Sequence, residues 1–275
     1  MSVLDEIILG VREDLAERAA NISLAKIKDD ARLASPALDV MEYFSQSKFG
    51  VIAEVKRSSP SKGVLADIAD PAELAREYEI GGACAISVLT EQRRFKGSLA
   101  DLAAVRSAVK VPILRKEFIV DEYQIYEARA YGADIILLIV AALTDQQILQ
   151  FAQIADQLNM RTLIEVHDES EISRTLHLRA ESWLRIDLLG INARNLKTLE
   201  IDSTSFARLA PLVPREISLI AESGIGNSQQ VGELAGAGAS GVLVGEALVK
   251  DGQPAEAIKD FLNRANRGAL RRLGR

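Results

Sequence analysis

Eight short apolar runs, separated by amphipathic stretches, constrain the fold of this chain more than any other feature. They lie near residues 51–55, 84–89, 112–114, 135–139, 162–166, 188–191, 218–221 and 241–244, with starts roughly 22–33 residues apart. That spacing suits one strand, one helix and two loops per unit. The runs are continuous rather than alternating, which predicts strands buried on both faces, as in a parallel sheet. Eight such units predict a closed (β/α)8 TIM barrel. The chain has 275 residues, and such barrels typically need about 250.

The intervening segments carry helix boundaries. Asp70-Pro71-Ala72-Glu73 offers a capping residue, a first-turn proline and a glutamate three residues after the cap, and Gly81-Gly82 closes that segment. Asp121 opens a helix that ends at Gly132, Thr144 opens one that ends at Asn159, and Pro254 starts the last. Residues 1–50 precede the first strand and read as a helical extension, with Ile7, Ile8, Val11, Leu15 and Ala19 as an apolar stripe. It could cap the barrel bottom, help build the mouth of the site, or mediate association. No linker rich in proline or serine interrupts the chain, so residues 1–275 are expected to form one domain, with the strands in 51–250 and a helix and basic tail in 251–275.

Composition narrows the partners. A net charge of −6 gives no bulk attraction to nucleic acid or an anionic membrane. The arginines from Arg264 to Arg275 read as a solvated helix face and frayed end. No run approaches the ~18 apolar residues of a membrane span, and no secretion signal opens the chain. The single cysteine, Cys84, excludes an internal disulfide and reads as packed in a strand. A cytoplasmic monomer is expected.

The strand ends carry the chemistry. Val51-Ile52-Ala53-Glu54-Val55-Lys56 finishes an apolar run with a carboxylate and an ammonium two residues apart, hence on one face of a strand. Lys116, Glu165, Asn192, Glu222 and Ser223 end four further runs in the same way. In a barrel all of them would converge on one mouth, at the carboxyl ends of the strands. Three carboxylates and two amines so close would titrate as a coupled set. Gly224, Gly226 and Gly245, after the last two strands, would expose backbone N–H groups to a phosphate. Two histidines and one cysteine leave no zinc cluster or Ser-His-Asp triad. His167, two residues after Glu165, reads as a loop residue rather than a proton-transfer partner.

The segments Ile52-Ala53-Glu54-Val55-Lys56-Arg57-Ser58-Ser59-Pro60-Ser61, Leu114-Arg115-Lys116-Glu117-Phe118, Leu163-Ile164-Glu165-Val166-His167, Gly190-Ile191-Asn192-Ala193-Arg194-Asn195-Leu196 and Ala221-Glu222-Ser223-Gly224-Ile225 closely resemble the indole-3-glycerol-phosphate synthase family. The likeness runs in order from about residue 50 to 250, and the helical extension resembles that family's own. It implies a lyase of tryptophan biosynthesis that works without metal or cofactor on a small phosphorylated substrate, 1-(2-carboxyphenylamino)-1-deoxyribulose 5-phosphate. Ring closure needs an acid for the carbonyl oxygen, and dehydration needs an acid for the departing hydroxyl and a base.

By that resemblance Lys116 is the acid of ring closure. Glu165 moves a proton in dehydration, with Lys56 and Glu54 as alternative partners, while Glu222 and Asn192 position the lysines and substrate hydroxyls. Arg194 and Ser59 would hold the anthranilate carboxylate, and Phe118 and Leu196 would form the slot for its ring. Ser223, Gly224, Gly245 and the Glu246 amide would receive the phosphate. Glu246 departs from the expected serine, so its carboxylate must turn away from that anion. Two rival readings are a phosphoribosylanthranilate isomerase and a non-catalytic phosphate-binding barrel. The first would want its cysteine at the end of strand one; the second could lose Lys116 or Glu165, and both are present.

Overall fold

Every apolar run forms a strand: β1 (Gly50–Val55), β2 (Ala85–Leu89), β3 (Ile113–Lys116), β4 (Ile135–Ile139), β5 (Arg161–Val166), β6 (Leu188–Asn192), β7 (Ser218–Glu222) and β8 (Gly241–Val244). The structure, a computed structural model, describes residues 2–59, 63–64, 68–182, 184–196 and 198–273, without side-chain detail at 59, 63, 64 and 270–273. All eight strands pair in parallel, and the ring closes because β1 pairs with both β2 and β8. Three strands run further than their apolar runs: β3 reaches Lys116, β6 reaches Asn192 and β7 reaches Glu222. The charged or polar end residue keeps its place in the ladder, as the register Asn192↔Glu222 shows.

Side-chain alternation splits the core in two. Ile52, Leu114, Leu137, Leu163, Leu188, Ile220 and Leu243 point into the barrel. Val51, Ala53, Ile136, Leu138, Ile164, Leu189 and Val242 point out to the helices. Cys84 belongs to the inner set, its thiol donating to the Val51 carbonyl at 3.4 Å, and burial pushes it up to about 12.

Local chemistry sets the helix ends. Asp70 caps α4 (Pro71–Gly81) by accepting from the Ala72 and Glu73 N–H groups, and Gly82 ends it at φ 96°, a left-handed conformation suited to glycine. Thr144 and Gln147 form a reciprocal capping box on α7 (Asp145–Gln157), and Asn159 follows at φ 56°. The other α-helices that follow β1 among the described residues are α5 (Leu99–Ala108), α6 (Glu122–Ala130), α8 (Glu169–Ser182), α9 (Ser205–Leu209), α10 (Ser228–Ala237), α11 (Glu246–Val249) and α12 (Pro254–Leu273). Arg264 and Arg267 of α12 are exposed. Among the described residues no helix is long and apolar enough to cross a membrane.

The extension folds as α1 (Val3–Asn21), α2 (Leu24–Leu33) and α3 (Val40–Gln46), and it serves both ends of the barrel. Phe44 of α3 packs over Gly50, where a Cβ would sit 2.7 Å from its ring, at the amino end of β1. Leu4 and Ile7 of α1 reach the opposite end and line its cavity. The stripe ends at Leu15. Ala19 is exposed, and Arg18 takes over the contact through a 2.8 Å bond to Glu127 of α6. From its first turn to its middle α1 is tied to the segment after β2, where Arg94 binds Glu6, and Arg93 binds Glu13 and Asp14.

Helices α10 and α12 cross closely at Gly232 and Gly268. A Cβ on Gly268 would lie 2.1 Å from the Gly232 carbonyl oxygen, so the two backbones must part to admit it. Gly268→Ala is expected to destabilise the fold by about 1–3 kcal/mol, read as a lower midpoint in urea.

Candidate active site

A cavity of about 410 Å³ opens at the carboxyl ends of the strands. Glu54, Lys56, Lys116, Phe118, Glu165, Asn192, Arg194, Leu196, Glu222, Ser223, Gly224, Gly245 and Glu246 all line it. The side chain of Ser59, and the Pro60-Ser61 segment after it, lie outside the described residues. Convergence follows from parity: Glu54, Lys116, Glu165 and Glu222 each sit two residues beyond an inward apolar residue of their own strand.

Lys116 is the hub. Its Nζ donates to Glu165 Oε2 at 2.7 Å and to Glu222 Oε2 at 2.6 Å, and both carboxylates are 2% exposed. Burial pushes the ammonium down, but Glu165, Glu222 and Glu54 outweigh it and hold Lys116 above its ordinary range. Burial likewise raises Glu165, yet Lys116 and His167 together hold it below the usual carboxylate range. Glu222 goes the other way. Burial raises it, Lys116 opposes and the Glu165 charge adds to the rise, to about 8. Two carboxyls at similar distances from one lysine are thus shifted in opposite directions, Glu165 down and Glu222 up.

Gly190 makes room for this arrangement. A Cβ there would sit 2.0 Å from Glu222 Oε1, inside the space the carboxyl occupies. On the neighbouring wall Lys56 donates to Glu54, which is 5% exposed. Asn192 accepts from the Arg194 N–H at 2.9 Å, and the Arg194 guanidinium donates to the Leu199 carbonyl at 3.1 Å.

Ser223 (φ 65°) and Gly224 (φ 73°) both adopt left-handed backbone. The N–H groups of Gly224 and Ile225 find no protein acceptor among the described residues. Unpaired backbone donors on a cavity wall suit an anion. Gly245 runs close to Glu54, where a Cβ would lie 3.0 Å from its carbonyl oxygen. Glu246 is exposed at the start of α11. Among the described residues, no group of three or more His, Cys, Asp or Glu is arranged to hold a metal ion.

Several features escaped the sequence reading. Phe95 lies against Phe118 with ring centroids 6.1 Å apart and joins Leu4, Ile7 and Leu196 in the apolar wall. Arg115 is wholly buried on the outward face of β3, bound to Thr90, the Gln124 carbonyl and Glu127. His167 follows β5 as a loop residue, but its Nε2 lies 3.4 Å from Glu165 Oε1. The signal was available: His167 shares the parity of Glu165.

A family model described as indole-3-glycerol phosphate synthase matches residues 4–261. The indole-3-glycerol phosphate synthase of Rhodococcus opacus (strain B4) is 54% identical over 263 residues, covering 96% of each chain. That of a Nocardioides species is 57% identical over 259 residues, 94% of this chain and 97% of its own. Among solved structures, thiamine phosphate pyrophosphorylase from Pyrococcus furiosus superposes with a TM-score of 0.59 at 16% identity, over 82% of this chain and 98% of that one. A 3-hexulose-6-phosphate synthase gives 0.60 at 17%, over 79% and 99%. At those identities the two structures speak for the barrel alone. The sequence relatives go further: with its strand-end lysine and carboxylates in place, this chain belongs to the indole-3-glycerol phosphate synthase family.

Proposed function

We propose that the chain is a carboxy-lyase of tryptophan biosynthesis. It converts 1-(2-carboxyphenylamino)-1-deoxyribulose 5-phosphate to indole-3-glycerol phosphate, CO₂ and water. The observation that carries this reading is Lys116, a buried ammonium between two carboxyls on the wall of a cavity that has both an apolar side and backbone N–H groups without a protein acceptor among the described residues.

Phe95, Phe118 and Leu196 take the aromatic ring, Arg194 its carboxylate, and the Ser223–Gly224 backbone with Gly245 and Glu246 the phosphate. Lys116 gives its proton to the ribulose carbonyl oxygen while the ring carbon bearing the carboxylate attacks, so no free alkoxide forms. Loss of CO₂ restores the aromatic ring. The hydroxyl then departs with a proton from Lys56, which Glu54 holds in place. Glu165 takes the balancing proton from the ring methylene, since indole keeps its N–H. Asn192 and Glu222 position Lys116 and the substrate hydroxyls. The same reading keeps residues 1–275 a single domain, acting as a cytoplasmic monomer with neither metal nor nucleic acid.

Turnover of the carboxyphenylamino-deoxyribulose phosphate in EDTA, followed by indole fluorescence, tests the proposal. Product must form at an undiminished rate. Tight binding of phosphate ligands without product would mark a non-catalytic barrel instead. Arg194→Ala is expected to raise KM about tenfold or more with a smaller change in kcat, because the carboxylate contact is already made in the ground state. Steady-state kinetics reads the split directly.

A further inference from the structure

Lys116 stands almost midway between its carboxyl partners, 2.7 Å from Glu165 and 2.6 Å from Glu222. One ammonium cannot keep two buried carboxyls ionised at such range, so a proton remains to be placed between them. The lysine contacts do not decide where it goes. The outer oxygens differ. Among the described residues neither Glu222 Oε1 nor His167 Nε2 has a hydrogen-bond partner, but Glu165 Oε1 lies within ion-pair range of that Nε2, at 3.4 Å.

His167 is fixed from behind. Glu171, in the first turn of α8, accepts from its main-chain N–H at 2.8 Å and lies 3.1 Å from its Nδ1. Asp168 holds the Glu171 N–H in turn, at 3.0 Å. A carboxylate against Nδ1 demands an N–H at that nitrogen. A neutral ring would then present the bare lone pair of Nε2 to Glu165 Oε1, acceptor against acceptor. A second ring proton removes the conflict and sets a cation between two carboxylates. Burial opposes that charge, but the Glu165 and Glu171 carboxylates beside the ring raise the imidazole to about 10. The charged groups facing this ring are Glu165 of β5, Glu171 of α8 and Asp168 between them; Lys116, Glu222 and Glu54 face it through Glu165. His167 does not line the cavity, so it acts through Glu165.

We propose that His167 is a positioning residue that breaks the symmetry of the lysine site, holding Glu165 as the ionised base and leaving the shared proton on Glu222. This rests on the reading of Glu165 as the base of dehydration.

His167→Gln, which keeps size and a donor but not the charge, tests the assignment. A carboxyl that loses an opposite charge at this range holds its proton roughly one to three pH units higher. The acid limb of the kcat profile should move up by that amount while KM stays within about twofold. Glu171→Gln should move it in the same direction by less. A second readout needs no turnover. The chain has two histidines, and the other, His177, is exposed. In His177→Gln the remaining imidazole should give the NMR signature of a cation through neutral pH. Glu165→Gln should then bring its midpoint down toward the ordinary value of about 6.5. An unmoved acid limb in active His167→Gln, or a His167 that titrates in the ordinary range, overturns the assignment. Absence of turnover by the unaltered chain would overturn the proposed function instead, and the NMR titration would still decide the charge on His167.

Discussion

Replacing Lys116 with Met is expected to lower kcat by about 10²–10⁴-fold, the usual contribution of a positioned acid. KM should stay close to that of the unaltered chain. Methionine keeps the length of the side chain and removes the proton that ring closure requires. It also leaves Glu165 and Glu222 facing each other without their cation, and the pair should relieve that strain by binding a second proton rather than unfolding the barrel. Steady-state kinetics beside a thermal melt separates the two effects. A kcat within threefold of the unaltered chain would remove Lys116 from the chemistry.

Gly190→Ala should also be damaging, although the change is a single methyl group. The new Cβ would fall 2.0 Å from Glu222 Oε1, and β6 cannot retreat because it is paired on both sides. The carboxyl must therefore leave its place, and Lys116 loses one of its two partners. We expect kcat to fall about tenfold or more and stability to drop by about 1–3 kcal/mol. A double-mutant cycle identifies the cause: in a Glu222→Ala background the stability penalty should disappear. A penalty that persists there would mean that Gly190 is required for backbone reasons instead.

The barrel was legible because each strand is buried on both faces and so reads as an unbroken apolar run. The lysine site was legible because alternation carries an inward apolar residue, two positions later, to an inward charge: Leu114 to Lys116, Leu163 to Glu165, Ile220 to Glu222. Arg115 was not, because it has outward parity and its partner Glu127 comes from a helix twelve residues away. Phe95 and Leu4 were hidden for a related reason. They reach the cavity through tertiary ion pairs, Arg93 with Asp14 and Arg94 with Glu6, which leave no periodic mark on the chain. Ala19 continued the helical stripe on paper but lies past the point where α1 leaves the barrel. His167 is the loop residue that its position suggested, but being outside the strand did not stop it from sharing the face of Glu165.

Closure of the ring through β1 and β8 has a consequence for how the chain comes to be made. Gly50 aligns with Gly241 and Ala53 with Val244, so the first strand waits for the last. A ribosome-bound chain that has not yet emitted β7 carries Lys116 and Glu165 but lacks Glu222. It has open sheet edges at β1 and β6 and no phosphate wall. Contacts between such distant parts of the sequence form late and make folding slow. The growing chain therefore acquires its complete lysine site only after nearly the whole polypeptide has left the ribosome, and until then its two unfinished edges are the surfaces that chaperones have most reason to cover.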